Sequence, residues 1–319
     1  MARPGEGASA VVAVTGASGF IGQALCSALV DRERQVRALV RRARGCDMLP
    51  PAVHCIQGSL EDDAALSSLL EGASVVVHAA GVVSARREEE YHRTNVDGTR
   101  RLLGVAQRMA RPPRVIYVSS LAAREPGVSA YAASKRAAEA AIAGSALASC
   151  VVRPPAVYGP RDQATLPIFR QLTGGLLIVP RVADARFSLL FIEDLTAALC
   201  RLVDGPAGDG EIIEPDDGRS GGYRWADLAA IAGSYLRKRV RCLHVPRQVA
   251  WCAALADEAG AAILGRAPTL SRGKLGELWY PDWVCRARPV PALGDWKPRV
   301  GFAAGFRITL SWYRRRRWL

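Results

Sequence analysis

The sequence predicts an α/β protein in which a doubly wound parallel sheet carries a smaller C-terminal lobe. In the first half of the 319 residues, apolar β-branched runs of strand length alternate with longer segments of helical spacing. This alternation is typical of βαβ units and a buried parallel sheet. After residue 160 the texture changes to short strands, turns and Trp/Pro-rich segments. Strands are expected at 10–15, 35–40, 74–79, 113–118 and 149–153, and helices at 20–31, 62–71, 92–110 and 130–146.

The second half indicates how the chain divides. "FSLLFIEDLTAALCRLV" predicts a strand that runs into a helix, and residues 246–264 predict a mostly apolar helix. We expect the lobe to cover the carboxyl edge of the sheet, where open α/β sheets bind ligands. The expected division is a flexible N-terminus at 1–10, a nucleotide-binding domain at 11–160 and a mainly substrate-binding lobe at 161–319, with 186–204 returning to the first domain.

Composition and cysteine spacing predict a cytoplasmic protein. No apolar run reaches the roughly 18–20 residues that span a bilayer, and the opening "MARPGEGASA" lacks the pattern of a secretory signal. None of the eight cysteines has C-x-x-C spacing, and Cys150, Cys200 and Cys252 lie in apolar runs, where a thiol behaves as a small hydrophobe. We expect a reducing compartment, no disulfide and no metal.

The net charge of +13 is compatible with three kinds of partner: nucleic acid, an anionic membrane surface or an anionic ligand. No nucleic-acid motif accompanies it, so no nucleic-acid partner is expected. The one dense basic run, "RRRR" at 314–317, stands beside Trp312, Tyr313 and Trp318 and predicts a solvated C-terminal helix. The alternative is weak peripheral contact with the inner face of the membrane through this run and the apolar helix at 246–264.

A glycine pattern predicts a nucleotide site of the Rossmann type. In "VVAVTGASGFIGQAL" a strand is followed by Gly16, Gly19 and Gly22 and then by a helix. These glycines permit a tight turn, close approach of a pyrophosphate and close helix–strand packing. The free N–H groups of the helix N-terminus favour phosphate. Three other residues of this turn are assigned to the cofactor with them: Ser18, Phe20 and Ile21.

The residues after the second strand favour NADP over NAD. An NAD site usually has an acid about 20 residues beyond the glycines, bonded to the ribose 2′-hydroxyl. Here "QVRALV" ends in Arg41 and Arg42, and an arginine binds a 2′-phosphate. The alternative is that both are solvated loop residues and that either cofactor is accepted.

A series of motifs resembles the extended short-chain dehydrogenase/reductase family. T-G-x-x-G-x-x-G, "HAAG" (78–81), Asn95 in "TNVDGTRRLL", "YVSS" (117–120), Tyr131-x-x-x-Lys135 and "RPPAVYGP" (153–160) occur in this order, and "FIEDLTAAL" and "SWYRRRRWL" extend the likeness over nearly the whole chain. The lobe is most similar to the branch of 3β-hydroxysteroid dehydrogenases and dihydroflavonol reductases. Homodimers are usual in this family.

The resemblance implies that Ser120, Tyr131 and Lys135 are catalytic. Tyr131 and Lys135 are four residues apart and share one helix face. The phenol supplies a proton to a carbonyl oxygen, Lys135 and an oxidised nicotinamide are expected to lower its pKa from about 10, and Ser120 bonds the substrate oxygen. Tyr131 and Lys135 are also assigned to the cofactor, because the lysine bonds the nicotinamide ribose.

Further cofactor contacts follow from the resemblance. Ser119 and Asn95 are both assigned to the cofactor. Ser119 is also able to exchange roles with Ser120, and Asn95 is expected to fix the helix that carries it rather than to take part in the chemistry. His78 is expected to be a satisfied core histidine. The family often has an acid after Gly58 that contacts adenine, and this chain has Ser59 there. The remaining assigned positions are Leu60 beside Ser59, Ala79, Ala80 and Gly81 through their backbone, and Pro154 and Val157 around the nicotinamide.

The preferred reaction interconverts a hydroxyl and a ketone on a small apolar or lipid-like substrate. A dehydratase needs an Asp-Glu pair after the serine, and this chain has Leu121, Ala122 and Ala123. A nucleotide-sugar 4-epimerase or reductase is the alternative, with three arginines as candidates for a diphosphate pocket: Arg161, Arg181 and Arg186. A non-catalytic nucleotide-binding scaffold is a second alternative, although such proteins typically lose the tyrosine or the lysine.

Overall fold

The computed structural model describes residues 11–205, 210–265, 271–286 and 291–319. Its centre is a seven-stranded parallel sheet in the order β11 (Ile212–Ile213), β6 (Ser149–Val152), β5 (Arg114–Val118), β4 (Ala73–His78), β1 (Val11–Thr15), β2 (Val36–Val40) and β3 (His54–Gln57). The order reverses between β1 and β4, which is the position where doubly wound sheets bind nucleotides. The predicted fold class is confirmed, whereas the expected flexible segment 1–10 lies outside the described residues.

The strands are β1 (Val11–Thr15), β2 (Val36–Val40), β3 (His54–Gln57), β4 (Ala73–His78), β5 (Arg114–Val118), β6 (Ser149–Val152), β7 (Ala156–Tyr158), β8 (Leu176–Pro180), β9 (Arg186–Phe187), β10 (Leu189–Phe191), β11 (Ile212–Ile213), β12 (Arg241–Val245) and β13 (Asp282–Trp283). The α-helices are α1 (Phe20–Val30), α2 (Asp63–Leu70), α3 (Glu88–Tyr91), α4 (Gly98–Gln107), α5 (Ala130–Ala143), α6 (Leu166–Gly174), α7 (Ile192–Asp204), α8 (Trp225–Leu236), α9 (Arg247–Ile263), α10 (Arg272–Trp279) and α11 (Phe302–Arg315).

Both faces of the sheet are buried, as parallel sheets require. Along β1, Val12 and Val14 point into one hydrophobic cluster and Ala13 points into the other. The sequence reading missed β3, because this edge strand is half exposed and its four residues include only two apolar ones. Beyond the first half of the chain, α7 packs against α1 and β11 pairs with β6.

The lobe has its own aromatic core, and the C-terminal helix belongs to it. The rings of Phe169 and Phe306 stack with centroids 5.1 Å apart, and Tyr313 is fully buried against Phe169. Helix α11 is therefore packed along one face rather than solvated all round, while the arginines at 314–317 are exposed. Among the described residues no helix is long and apolar enough to cross a membrane.

The expectation that the chain has no disulfide was wrong. Cys46 and Cys55 form a disulfide with their Cα atoms 6.1 Å apart, a separation within the usual range for such bonds. The unpredicted strand β3 carries Cys55 alongside β2, and a 3₁₀ turn holds Cys46. Cys252 is exposed, so its thiol is not the small core hydrophobe that its apolar run predicted.

Candidate active site

The loop between β1 and α1 has the shape that the glycine pattern predicts. Gly16 adopts a φ of +70°, in the left-handed region that favours glycine. The N–H of Gly19 donates to the Gly16 carbonyl at 2.9 Å, which closes the turn. A Cβ on Gly22 would overlap the backbone of Gly16, so that a larger residue there would push helix and strand apart.

The first turn of α1 suits an anion. Gly19 is its N-cap residue, no side chain caps the helix, and the first turn holds no acidic residue. The first N–H groups of a helix lack intrahelical partners, and the helix dipole is positive there. Phe20 and Ile21 lie in this turn, and Ser18 lies in the loop just before Gly19. The bare N-terminus and the glycines thus fit the pyrophosphate of a dinucleotide.

The end of β4 lies against the glycine loop. A Cβ on Gly16 would stand 2.6 Å from backbone atoms of Ala79 and Ala80. One on Gly81 would stand 3.8 Å from Nζ of Lys135. The chain from 79 to 81 therefore lies between the phosphate loop and the predicted catalytic lysine, and a residue larger than glycine at position 16 would overlap its backbone.

The ends of β2 and β3 carry the residues assigned to the adenosine part of the cofactor. Arg41 and Arg42 follow β2 and both are exposed. Ser59 uses its hydroxyl within its own turn, where it accepts the Glu61 N–H at 3.1 Å. Leu60 is buried. Of these four residues, Arg41 and Arg42 are therefore the charged ones, and both are accessible to a cofactor.

Helix α5 presents the predicted tyrosine and lysine. Ser129 caps the helix by accepting the Ala132 N–H at 3.0 Å. Tyr131 is half-buried in the first turn, and Lys135 is 5% exposed one turn later. The Lys135 ammonium donates to the Val118 carbonyl at 2.8 Å, which fixes it at the carboxyl end of β5.

Burial controls the titration of both groups. It raises the pKa of Tyr131 above its ordinary value, although a hydrogen bond with Ser120 lowers it. It also lowers the pKa of Lys135 to about 7, against an opposing effect of Glu139. The expectation that Lys135 lowers the pKa of the phenol is therefore not met in the protein alone. Tyr131 remains a neutral phenol at pH 7, the form that donates a proton.

The two serines after β5 point in different directions. Ser120 hydrogen-bonds Tyr131, whereas Ser119 donates to the buried carboxylate of Glu139 at 2.6 Å. Arg153 holds both oxygens of Glu139, at 2.8 and 2.6 Å. With its hydroxyl committed to this pair, Ser119 is not in position to exchange roles with Ser120. Sequence reasoning missed Glu139, whose only signal is its position four residues after Lys135.

Asn95 ties three parts of the site together, as its expected fixing role requires. It lies in a π-helical turn (His92–Asp97), a feature that often occurs at functional sites. Its Oδ1 accepts the Val82 N–H at 2.7 Å, and its Nδ2 donates to the Val82 carbonyl at 3.1 Å and to Ser134 Oγ at 2.9 Å. The loop after β4 is thereby held against helix α5.

His78 is a satisfied core histidine, as predicted. The Thr99 hydroxyl donates to the Asn95 carbonyl at 2.7 Å, so that it accepts a hydrogen bond from Nε2 of His78 at 2.9 Å. Nδ1 in turn accepts from the Thr15 hydroxyl at 2.6 Å. Burial lowers the pKa of His78 to about 3, and the ring stays neutral.

The segment after β6 lies beside the serines. The Leu121 N–H donates to the Pro154 carbonyl at 2.9 Å. Val157 is half-buried in β7, between the sheet core and the aromatic core of the lobe. Leu121, Ala122 and Ala123 are buried, so the positions where a dehydratase has its acidic pair hold packed apolar side chains.

Two residues that sequence reasoning did not single out stand near Tyr131. The Tyr91 ring lies 6.0 Å from the Tyr131 ring. Glu277, on α10, accepts a hydrogen bond from Ser129 at 2.8 Å, and its charge raises the pKa of Tyr131 further. A Cβ on Gly276 would overlap the Val128 carbonyl, so α10 packs directly on the turn that precedes helix α5.

Known proteins are similar to this chain in sequence and in fold. The profile of the NAD dependent epimerase/dehydratase family matches residues 12–214. The chain is 35% identical over 319 residues to a ceramide reductase from Caulobacter vibrioides (strain NA1000 / CB15N), covering 98% of this chain and 97% of the relative. It is 28% identical over 196 residues to a 3 beta-hydroxysteroid dehydrogenase/Delta 5-->4-isomerase from Mycobacterium tuberculosis (strain ATCC 25618 / H37Rv), covering 52% of this chain and 51% of the relative.

The fold likeness extends over nearly the whole chain. The UDP-glucose 4-epimerase of Thermus thermophilus in complex with NAD superposes with a TM-score of 0.71 at 20% identity, over 95% of this chain and 99% of that one. The family profile covers the phosphate loop, the end of β4 and the Ser120–Tyr131–Lys135 cluster. The chain therefore belongs to the NAD dependent epimerase/dehydratase family, as its series of motifs predicted.

Proposed function

We propose that this enzyme is an NAD(P)-dependent oxidoreductase that interconverts a ketone and a hydroxyl on a lipid-like substrate. The observation that carries the proposal is the arrangement at the carboxyl end of β5, where Tyr131 lies one helical turn from Lys135, Lys135 donates to the Val118 carbonyl at 2.8 Å, and Ser120 follows the same strand. The likeness to a ceramide reductase over nearly the whole of both chains supports a long-chain substrate.

The protein's own residues account for the proton and the orientation. The nicotinamide, when bound, supplies or accepts the hydride. Gly16, Gly19 and the first turn of α1 would hold the phosphates of the dinucleotide, and Lys135 and the backbone at 79–81 would hold its nicotinamide half. The Tyr131 phenol gives its proton to the carbonyl oxygen, and the Ser120 hydroxyl stabilises the charge that develops there.

NADP is the cofactor that we propose, with NAD as the alternative. Arg41 is exposed at the end of β2, which is where this fold places the group that reads the ribose 2′-position. A guanidinium forms a bidentate pair with phosphate, whereas a neutral hydroxyl gains much less from it. A homodimer, the usual state in the family, stays a prediction.

The two alternative functions have less support. Two of the arginines considered for a sugar diphosphate are engaged elsewhere, since Arg161 donates to Gln23 at 3.3 Å and Arg186 donates to the Gly221 carbonyl at 3.4 Å. A non-catalytic scaffold would not need a serine beside Tyr131 and a buried lysine together in one site.

Oxidation of NADPH or NADH, followed by cofactor fluorescence, tests the proposal. The substrates are N-acylated long-chain amino ketones, other oxo-lipids, ketosteroids, flavonoid ketones and UDP- or GDP-sugars, with Tyr131→Phe as the matched control. We expect turnover of an oxo-lipid that requires the phenol. Because a 4-epimerase regenerates its cofactor, conversion of the nucleotide sugars is followed by chromatography of the sugar product. Such conversion alone would establish the epimerase alternative, and tight NADPH binding without turnover of any substrate would favour the scaffold.

A further inference from the structure

Helix α9 exposes an apolar face. Val249 is 59% exposed and Trp251 is 46% exposed, and the same helix exposes Cys252 and small apolar residues at 253, 256 and 259. Among the side chains of α9 that the structure describes, the buried ones are all small: Ala250, Ala254 and Ala261. Helix α9 therefore packs against α10 with one side and leaves its other side exposed.

The two-stranded sheet before α9 continues this surface. The outer sides of β8 and β12 expose Leu176, Ile178 and Leu243, each by 45% or more. Leu243 pairs with Ile178 and Arg241 with Leu176, so apolar and cationic side chains alternate across the pair. Of the ten large hydrophobic residues exposed in the described part of the chain, six belong to these three elements and the residue after α9: Leu176, Ile178, Leu243, Val249, Trp251 and Leu264.

The charges around this surface have one sign. Residues 163–183 and 228–256 contain no Asp or Glu. Arg237, Arg239, Arg241 and Arg247 are exposed, and none forms an ion pair with an acidic side chain of the described ranges. Lys238 is anchored to the carbonyl of Thr173 and stands in the same run. Unpaired cations beside exposed apolar groups complement an anionic, apolar partner.

The surface is connected to helix α5 through α10. Ala250 and Ala254 of α9 pack against Leu275 of α10. Helix α10 in turn contacts Val128, and its Glu277 accepts a hydrogen bond from the Ser129 hydroxyl. One helix therefore separates the exposed face of α9 from the N-terminus of the helix that carries Tyr131.

We infer that the exposed faces of β8, β12 and α9 form a docking surface for an anionic lipid bilayer. The inference rests on the proposed function, since a lipid-like substrate partitions into the bilayer and an enzyme bound there meets it directly. Trp251 and Val249 insert at the interface and the arginines pair with lipid headgroups. Each arginine near an anionic surface strengthens binding about fivefold, and salt weakens the effect.

The C-terminal arginines are a weaker candidate for this role. Tyr313 is fully buried, and Trp318 stacks on it with ring centroids 5.7 Å apart, so these aromatics belong to the core of the lobe. The run at 314–317 thus supplies charge without free apolar anchors. It provides a matched control with the same kind of charge at another exposed site.

Co-sedimentation with vesicles tests the inference. The full chain is mixed with phosphatidylglycerol/phosphatidylcholine vesicles or with phosphatidylcholine vesicles, at low and high salt. The variants are the triple change Arg237→Gln, Arg239→Gln, Arg241→Gln, the single change Trp251→Glu, and the control triple change Arg314→Gln, Arg315→Gln, Arg316→Gln. We expect salt-sensitive binding to the anionic vesicles that falls at least about 50-fold in the first triple variant and at least about 10-fold in Trp251→Glu, with less than about a fivefold effect in the control.

Three results would overturn the inference: no binding of the parent to anionic vesicles at low salt, an equal loss in both triple variants, or a dimer in sedimentation velocity that Trp251→Glu dissociates. Reduction of a short-chain, water-soluble oxo-amide separates this failure from failure of the proposed function. If docking alone fails, the parent still reduces that substrate. If the proposed function alone fails, the parent binds vesicles and reduces no oxo-lipid.

Discussion

Replacing Lys135 with Met should make the protein more stable and less active. Lys135 is buried, and its ammonium has one hydrogen bond, to the Val118 carbonyl at 2.8 Å. Methionine fills a similar volume without a charge. The substitution removes a cation that the fold keeps at a cost in stability, as is common at active sites.

The size of the effect follows from the pKa of Lys135, which burial lowers from an ordinary 10.5 to about 7. Between these values the unfolded chain binds more protons than the folded chain, so the parent's free energy of unfolding rises with pH. Below pH 7 the fold bears the full free-energy penalty of burying the charged lysine. Linkage gives a penalty of about 4–5 kcal/mol at pH 6 and about 2 kcal/mol at pH 9. Loss of the hydrogen bond made by the neutral amine offsets about 0.5–1.5 kcal/mol at both pH values, because the shifted pKa already contains the difference between the charged and the neutral bond.

Urea unfolding of the parent and of Lys135→Met at pH 6 and pH 9 checks this prediction. The lost hydrogen bond is common to both conditions, so the advantage of the variant should shrink by about 2–3 kcal/mol from pH 6 to pH 9. Lys297→Met, at a more accessible lysine, is the control and should show no such change. An advantage that stays constant between the two pH values would refute the buried, low-pKa lysine.

Three further predictions concern activity. Tyr131→Phe should bind NADPH as the parent does while turnover falls about 100-fold or more, because only the proton donor is lost; unchanged turnover in a stopped-flow assay would contradict this. Arg41→Ala should weaken NADPH binding by about 1.5–3 kcal/mol and leave NADH binding nearly unchanged; equal affinities of the parent for both cofactors, measured by fluorescence titration, would exclude a 2′-phosphate contact. Gly276→Ala should lower kcat and leave NADPH affinity unchanged, because a Cβ there overlaps the Val128 carbonyl and displaces α10 from helix α5; Gly260→Ala, at a position with open space, is the matched control.

Features that depend on neighbours in sequence were predictable. The central strands and helices agree with the expected segments to within a few residues, and the glycine loop has the left-handed turn and close packing that its spacing requires. Tyr131 and Lys135 lie on one helix face because residues four apart in a helix always do. The satisfied state of His78 followed from its place at the end of a buried strand.

Features that depend on partners far along the chain were not predictable from the sequence. No periodicity distinguishes Ser119 from Ser120, and the distinction is made by Glu139, 20 residues beyond Ser119. The Cys46–Cys55 disulfide depends on an edge strand too short and too polar to recognise.

The sequence by itself therefore determined the α/β fold, the nucleotide loop and the pairing of the candidate tyrosine and lysine, since each is written in the spacing of adjacent residues. Only the tertiary structure decided that burial, rather than Lys135, dominates the pKa of Tyr131, that Glu277 reaches helix α5 from α10, and that α9 is exposed along its apolar side. Burial and electrostatic fields are properties of the whole packed chain, and the spacing of adjacent residues does not determine them.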